Sequence, residues 1–326
     1  VTSPRKVFLT RIVDATGDAV SFTYDASLRL VAVTDAAGQV TMLSYEHATD
    51  PLKLTKVTDP FGRVAQFTYD GEGRLSSITD VMGLTSGFEY DGDFVTKLTT
   101  PYGETRFAME AAGIDRWIET TDALGGKERV EFRNYTSGLP SEPAAPAGFS
   151  NAYVGYRNTF VWDKRAMDEY PGDYSKAQIL HWLHTVDQAR ASGTLEGEKR
   201  PYESRVYYSY PGQMRSYDEG TGTQPTAAGR LLDGNVAQVR RFEHNQRGMK
   251  VREIDPVGRE TAYVYGTNGV PDPDPVNGSG LDLLQVKQKN AASPGGWDLL
   301  GSYTYNANHQ VLTATDAAGQ TTTYTY

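Results

Sequence analysis

The chain has 326 residues with 32 Lys and Arg against 41 Asp and Glu, a net charge of -9 that argues against a phosphate-binding surface and against nucleic acid as a partner. It has no cysteine, which excludes disulfides and thiolate metal sites, and no apolar run approaches the roughly 20 residues that a membrane-crossing helix needs. With 21 Tyr, 33 Gly and only 38% hydrophobic residues, the composition suits many short strands joined by glycine turns, a mainly β chain.

From the N-terminus one motif recurs. Asp-x-x-Gly begins at Asp14, Asp35, Asp59, Asp80 and Asp122, with glycines Gly17, Gly38, Gly62, Gly83 and Gly125, and an aromatic follows seven residues after each glycine: Tyr24, Tyr45, Tyr69, Tyr90 and Phe132. Counting a degenerate copy at Gly103, in which Thr100 stands for the aspartate and Glu110 for the tyrosine, the glycines are 21, 24, 21, 20 and 22 residues apart, about one hairpin each. Asp bonds nearby backbone and Gly tolerates positive φ, so the motif reads as a turn. The alternation Val20-Ser21-Phe22-Thr23-Tyr24 then puts Val20, Phe22 and Tyr24 on one face of a strand. A second turn, clearest in Tyr69-Asp70-Gly71-Glu72-Gly73-Arg74-Leu75, leads into a return strand. Leu75 and Ile78 are three apart and cannot both face one side of a regular strand, so a bulge or an early strand end is expected there.

Residues 136–228 break the rhythm. Pro140, Pro143 and Pro146 make an irregular entry and Gly220-Thr221-Gly222-Thr223-Gln224-Pro225 a flexible exit. Between them Ile179, Trp182, Leu183 and Val186 have helical spacing after a capping box at Ser175 and Gln178, which predicts a helix near 174–191 that plugs or caps the ribbon. The motif resumes at Asp255, Gly258 and Tyr265, and at Asp316, Gly319 and Tyr326. The expected organisation is therefore repeat ribbon over 1–135, insertion over 136–228 and repeat ribbon over 229–326. Eight units give about sixteen strands, and at about 4.8 Å per strand a flat ribbon would be nearly 80 Å wide, so a coiled or spiral antiparallel β-hairpin ribbon is expected. The fold class is all-β with one short α-helical insertion.

The pattern Tyr69-Asp70-x-x-Gly73-Arg74-Leu75-x-x-Ile78-Thr79-Asp80-x-x-Gly83-x6-Tyr90 resembles the YD repeat of bacterial Rhs proteins, wall-associated proteins, toxin complexes and teneurins, over residues 11–135 and 229–326. The resemblance implies a β-strand spiral forming a hollow shell which, in the toxin members, encloses a C-terminal toxic domain. Asp59-Pro60-Phe61-Gly62 and Asp255-Pro256-Val257-Gly258 resemble only the beginning of the autoproteolytic segment found in that group, so no cleavage residues are carried over.

No spacing demands chemistry. His181 and His184, one turn apart on the expected helix with Asp187 beyond, have a zinc-compatible geometry, but no further ligand completes a recognised motif and a surface or packing role is preferred. The loop Asp272-Pro273-Asp274-Pro275-Val276-Asn277-Gly278 clusters oxygens that calcium would accept, yet lacks EF-hand spacing and reads as a stiff linker. The repeat aspartates are turn formers rather than paired catalytic carboxylates. The expectation is a non-catalytic segment without cofactor or metal. It belongs to a secreted or surface-displayed shell of a polymorphic toxin, and its partners are the rest of its parent chain and an enclosed toxin domain. The rival is an extracellular carbohydrate- or cell-surface-binding adhesion module, because exposed aromatic rings stack on sugars. Val1 and Tyr326 look like cut ends of something longer.

Overall fold

The computed structural model describes residues 7–14, 17–140, 144–187 and 190–326. Among them are 25 strands, and every strand ladder is antiparallel. The chain divides into two compact units, one made of residues 1–109 and 119–127 and the other of 110–118 and 128–326.

The first unit is a succession of hairpins such as Val64–Tyr69 with Leu75–Thr79. Phe67 and Tyr69 are half-buried while Gln66 and Thr68 between them are exposed, the period-two pattern of a sheet with unequal faces. Among the described residues none in this unit is fully buried. The expected irregularity after Leu75 is present: Phe67 pairs with Ile78 and Thr68 with Ser77, but Tyr69 pairs with Leu75, leaving Ser76 as the extra residue of a bulge. The same slip follows Leu30, where Val31 is extra, and Val95, where Thr96 is extra.

The second unit holds the core. Phe160, Trp162, Met167, Ala177 and Ile179 form a buried cluster against Leu139, Ala166 and Tyr174. Burying each large side chain contributes about 1.5–3 kcal/mol. The helix expected over 174–191 is not formed. Tyr174–Lys176 is a single 3-10 turn, capped by Asp173, whose carboxylate accepts the Ser175 N–H, and Gln178–His184 is a strand. That strand pairs with Tyr156–Trp162 on one side and Ala191–Lys199 on the other. The apolar residues fit two periods, and the strand period wins. Ile179 and Leu183 point inward together with His181, Trp182 takes the opposite face, and Val186 is 64% exposed. As a strand the segment gives ladder partners to the facing edges of Tyr156–Trp162 and Ala191–Lys199, whose backbone groups a helix here would leave unpaired. The α-helix of this region is instead Lys164–Glu169, with Asp163 accepting the Ala166 N–H. The middle segment is consequently not a plug: Tyr156–Trp162 pairs with Lys127–Tyr135, and Ala227–Leu232 pairs with Val236–His244, so it extends the ladder.

Candidate functional site

Each repeat aspartate is spent on its own turn. At Asp35 the backbone N–H donates to the Gln39 carbonyl, and the Gly38 N–H donates to the Asp35 carbonyl, both at 3.0 Å. Asp35 Oδ1 accepts the N–H groups of Ala37 at 2.9 Å and Gln39 at 2.8 Å. Asp59, Asp80, Asp122, Asp255 and Asp316 repeat this double acceptance, and Asp14 accepts the Asp18 N–H. This is a three-residue hairpin loop closed by a left-handed residue. Gly17, Gly38, Gly62, Gly83, Gly125, Gly258 and Gly319 have φ between +80° and +97°, and a Cβ at Gly62 would meet nothing within 4 Å, so the glycine is required by conformation rather than by crowding. The Tyr-Asp turns at the other hairpin ends use the same geometry at Asp25 and Asp70, each also paired to an arginine: Arg29 at 2.7 Å and Arg74 at 2.8 Å. Hydrogen bonding by the Arg29 N–H holds the Asp25 carboxyl below the usual carboxylate range. At Asp59, Asp70 and Asp255 desolvation works against the charge, but the backbone and guanidinium of Arg63, Arg74 and Arg259 bring those carboxyls below it too.

The repeat tyrosines have one job in common. The hydroxyls of Tyr24, Tyr45, Tyr69, Tyr90 and Tyr326 donate to the carbonyls of Leu9, Leu30, Leu54, Leu75 and Val311, each fifteen residues earlier, at 2.7–3.0 Å. Leu30, Leu75 and Val311 are the residues beside a bulge, so the slip in one hairpin presents the carbonyl that the next hairpin's tyrosine takes up. Arg29 and Arg74 cover the faces of Tyr45 and Tyr90 at 4.9 and 4.8 Å. Phe132 has no hydroxyl and is covered by Arg116 instead. Tyr265 is half-buried, and burial raises its hydroxyl above the ordinary value.

Sequence reasoning missed several members of the same set. Asn245 and Asn306 make the aspartate's turn with an amide oxygen, Asn245 accepting from Arg247 and Met249 and Asn306 from Asn308 and Gln310. Tyr210 donates to the Leu195 carbonyl fifteen residues back at 2.7 Å, and Tyr305 donates to Leu283 at 3.1 Å. Burial pushes the Tyr210 hydroxyl up to about 12. A search allowing Asn for Asp, and a tyrosine without its turn, would have found Asn245, Tyr305 and Asn306 in the second repeat block and Tyr210 inside the stretch taken for an insertion.

The least expected feature is a buried charged cluster on the inner face of the middle strands. Arg157, Asn158, His181, Glu196, Arg205 and Asp218 are all buried. Arg157 donates through Nε to the Trp182 carbonyl at 2.8 Å and through Nη2 to Glu196 Oε2 at 3.2 Å. His181 Nδ1 lies 3.0 Å from Asn158 Oδ1, and its Nε2 lies 3.0 Å from Glu196 Oε2. Asn158 Nδ2 donates to the Val154 carbonyl at 2.7 Å. Burial pushes the His181 imidazolium below its ordinary value, with Glu196 pulling the other way. The zinc geometry considered for His181 and His184 does not arise, because three residues along a strand place the two rings on opposite faces, and Asp187 accepts the Thr185 hydroxyl. Among the described residues no group of three His, Asp or Glu is placed to hold a metal ion. In the 272–278 loop, Asp272 accepts the Gly280 N–H and Asp274 accepts from Val276 and Asn277, so these oxygens also serve turns.

The outer face of the same strands carries a groove of about 490 Å³ with Arg116, Phe132, Asn134, Trp182, Arg190 and Ser192 in its lining. Trp182 is fixed by its Nε1–H bond to Thr159 Oγ1 at 2.9 Å.

Turns that consume their own carboxylates, and hydroxyls that tie each hairpin to the one before, define a hairpin-repeat scaffold. The family described as RHS Repeat matches residues 8–40, 52–81 and 69–105. The residues so matched, 8–40 and 52–105, carry RHS, or YD, repeats. No curated protein matches its sequence. Among solved structures it is similar to a Tc holotoxin pore of Photorhabdus luminescens with a substitution in TccC3, at 13% identity and TM-score 0.33. It is likewise similar to the TcdB2–TccC3 crystal structure, at 13% identity and TM-score 0.36. In both cases 92% of this chain is covered and 18% of the other, so it spans less than a fifth of those chains. A porin-like protein from Bacteroides uniformis is similar at 9% identity and TM-score 0.19, with 81% and 91% coverage. Among the described residues no helix is long and apolar enough to cross a membrane.

Proposed function

We propose that the chain is a non-catalytic wall segment of a larger RHS-repeat shell, secreted or displayed at a bacterial surface, that encloses a C-terminal toxin or effector domain used in competition between bacteria. The observation that carries the reading is the recurrent tyrosine-to-carbonyl bond. Tyr45, Tyr69 and Tyr90 spend their hydroxyls on joining their hairpin to the one before, and the repeat aspartates accept the N–H groups of their own turns. The TccC3-containing complexes supply the toxin context as an analogy. The test is limited proteolysis of the parent protein: the domain downstream of the repeats should survive protease while the repeats are folded and be degraded after urea opens them. Cleavage of that domain at the same rate in both conditions would sink the proposal.

A second reading, a carbohydrate-binding module, is favoured by the groove holding Trp182 and Phe132 beside Arg116. Glycan-array binding abolished by Trp182→Ala would support it, and a blank array would remove it.

A further inference from the structure

One group of tyrosines takes no part in joining the hairpins. Tyr135, the last residue of Lys127–Tyr135, is the cross-strand partner of Tyr156, the first residue of Tyr156–Trp162, and their ring centroids lie 4.8 Å apart with the planes at 50°. Tyr156 also meets Tyr153 at 6.1 Å, and Tyr153 meets Tyr217 at 5.1 Å. Among the described residues, tyrosine rings touch one another only in this cluster. The repeat tyrosines spend their hydroxyls on carbonyls, whereas no described group of the protein bonds the hydroxyl of Tyr135 or Tyr156. These two residues are 57% and 41% exposed, so both hydroxyls face water.

The backbone holds these rings together. The Tyr156 N–H donates to the Tyr153 carbonyl and the Thr136 N–H to the Gly155 carbonyl, both at 2.8 Å, so a tight turn sets Tyr156 down at the end of the ladder opposite Tyr135. A Cβ at Gly155 would stand 3.6 Å from Cε2 of Tyr135, which places that ring along the backbone of the turn. Tyr153 has φ +62°, a left-handed conformation that is uncommon for a bulky residue and that glycine would adopt without strain. What the tyrosine adds there is its ring, set edge against face with Tyr156 at 78° and with Tyr217 at 83°. Tyr156 is thereby hemmed in by Tyr153 as well as by its cross-strand partner Tyr135.

We propose that Tyr135 and Tyr156 form an oxidative cross-linking site, joined ring to ring as dityrosine when the folded chain meets hydrogen peroxide and a haem peroxidase. Each phenol gives one electron to the oxidised peroxidase and its O–H proton to water. The two phenoxyl radicals then couple through the ring carbons next to their oxygens; each of those carbons loses its hydrogen as a proton while its oxygen takes one back. In sum, two tyrosines and one hydrogen peroxide become one dityrosine and two waters. Coupling needs rings that are in contact and free to turn, which exposure gives to Tyr135 and Tyr156, whereas Tyr217 in the Tyr153 pair is half-buried. The new bond would close the base of the segment 136–155 at the ladder that leads into the middle strands, and so constrain the unfolded chain as a disulfide does. A chain without cysteine has no disulfide to use there. The inference goes beyond the wall reading and holds whatever the wall encloses.

The test is brief treatment of the dilute folded chain with a haem peroxidase and hydrogen peroxide, followed by isolation of the monomer by gel filtration. The monomer should show dityrosine fluorescence, and its digest should contain one linked peptide pair holding Tyr135 and Tyr156, lighter by two hydrogens than the separate peptides. Tyr135→Phe and Tyr156→Phe keep the rings but cannot form the radical, so either change should abolish the monomer's fluorescence. Tyr102→Phe, at a tyrosine that is 85% exposed and touches no other tyrosine ring, should leave it unchanged. A monomer without dityrosine, a link confined to another pair such as Tyr153 with Tyr217, or fluorescence that survives in Tyr135→Phe overturns the proposal.

Discussion

Replacing tyrosine by phenylalanine at Tyr24, Tyr45, Tyr69 and Tyr90 removes four hydroxyls and leaves the rings. Arg29 and Arg74 keep their places over the rings at positions 45 and 90, so the change isolates the hydrogen bond. A made hydrogen bond contributes about 0.5–1.5 kcal/mol, and the carbonyls of Leu30, Leu54 and Leu75 are only partly reached by water, which places each of those positions at about 1 kcal/mol or slightly more. Tyr24 bonds Leu9 in an exposed setting and should count for less. The four sites lie in successive hairpins without shared partners, so the losses should add to about 3–4 kcal/mol. Urea denaturation followed by tyrosine and tryptophan fluorescence reads this as a lowered midpoint with an unchanged slope. If the fourfold variant loses less than about 1 kcal/mol, well below one such bond for each pair of sites, the hydroxyls are not what joins the repeats.

The lowered carboxyls of Asp25, Asp59, Asp70 and Asp255 set an acid limit. Their folded values lie below the unfolded value of 3.8, so their stabilisation is present above that pH and disappears as pH falls through the folded values; thermal melts should steepen in pH dependence below about 4, and Asp59→Asn with Asp70→Asn should flatten that limb. Gly62→Ala puts a side chain at φ +80° into open space, so it should cost about 1–2 kcal/mol from backbone strain alone, visible as a lower melting temperature without a change in circular dichroism. Ile179→Asp should cost about 3 kcal/mol or more by placing a charge in the core beside Phe160, whereas Val186→Lys should change stability by less than about 0.5 kcal/mol; equal losses at the two positions would restore the amphipathic helix.

The repeat itself was legible because its determinants are local. Asp59, Gly62 and Tyr69 sit at fixed offsets, the first two act within one turn, and even the bulge could be read from the three-residue step between Leu75 and Ile78. The middle strands were not legible for the same reason in reverse. Ile179, Trp182, Leu183 and Val186 satisfy a helical stripe on paper, and what decides against it is distant: Tyr156–Trp162 and Ala191–Lys199 arriving on either side. Glu196 lies in Ala-Ser-Gly-Thr-Leu-Glu-Gly-Glu-Lys, which gives no sign that one glutamate is buried and the next is turned the other way, because the slip that separates them depends on pairing with His181 and Trp182. Asn245 and Asn306 escaped because an amide oxygen accepts the same two N–H groups as a carboxylate and the pattern was sought with aspartate alone.

The fifteen-residue bond also bears on how such a chain lengthens. The hairpin Val64–Tyr69 with Leu75–Thr79 brings both halves of its joint, the Tyr69 donor for the Leu54 carbonyl before it and the Leu75 carbonyl beside its bulge for Tyr90 after it. A duplicated hairpin therefore arrives already compatible with both neighbours, and a deleted one leaves a donor and an acceptor that fit each other. Gene duplication and recombination can change the number of units without any compensating substitution, so array length is free to vary while the joint stays the same.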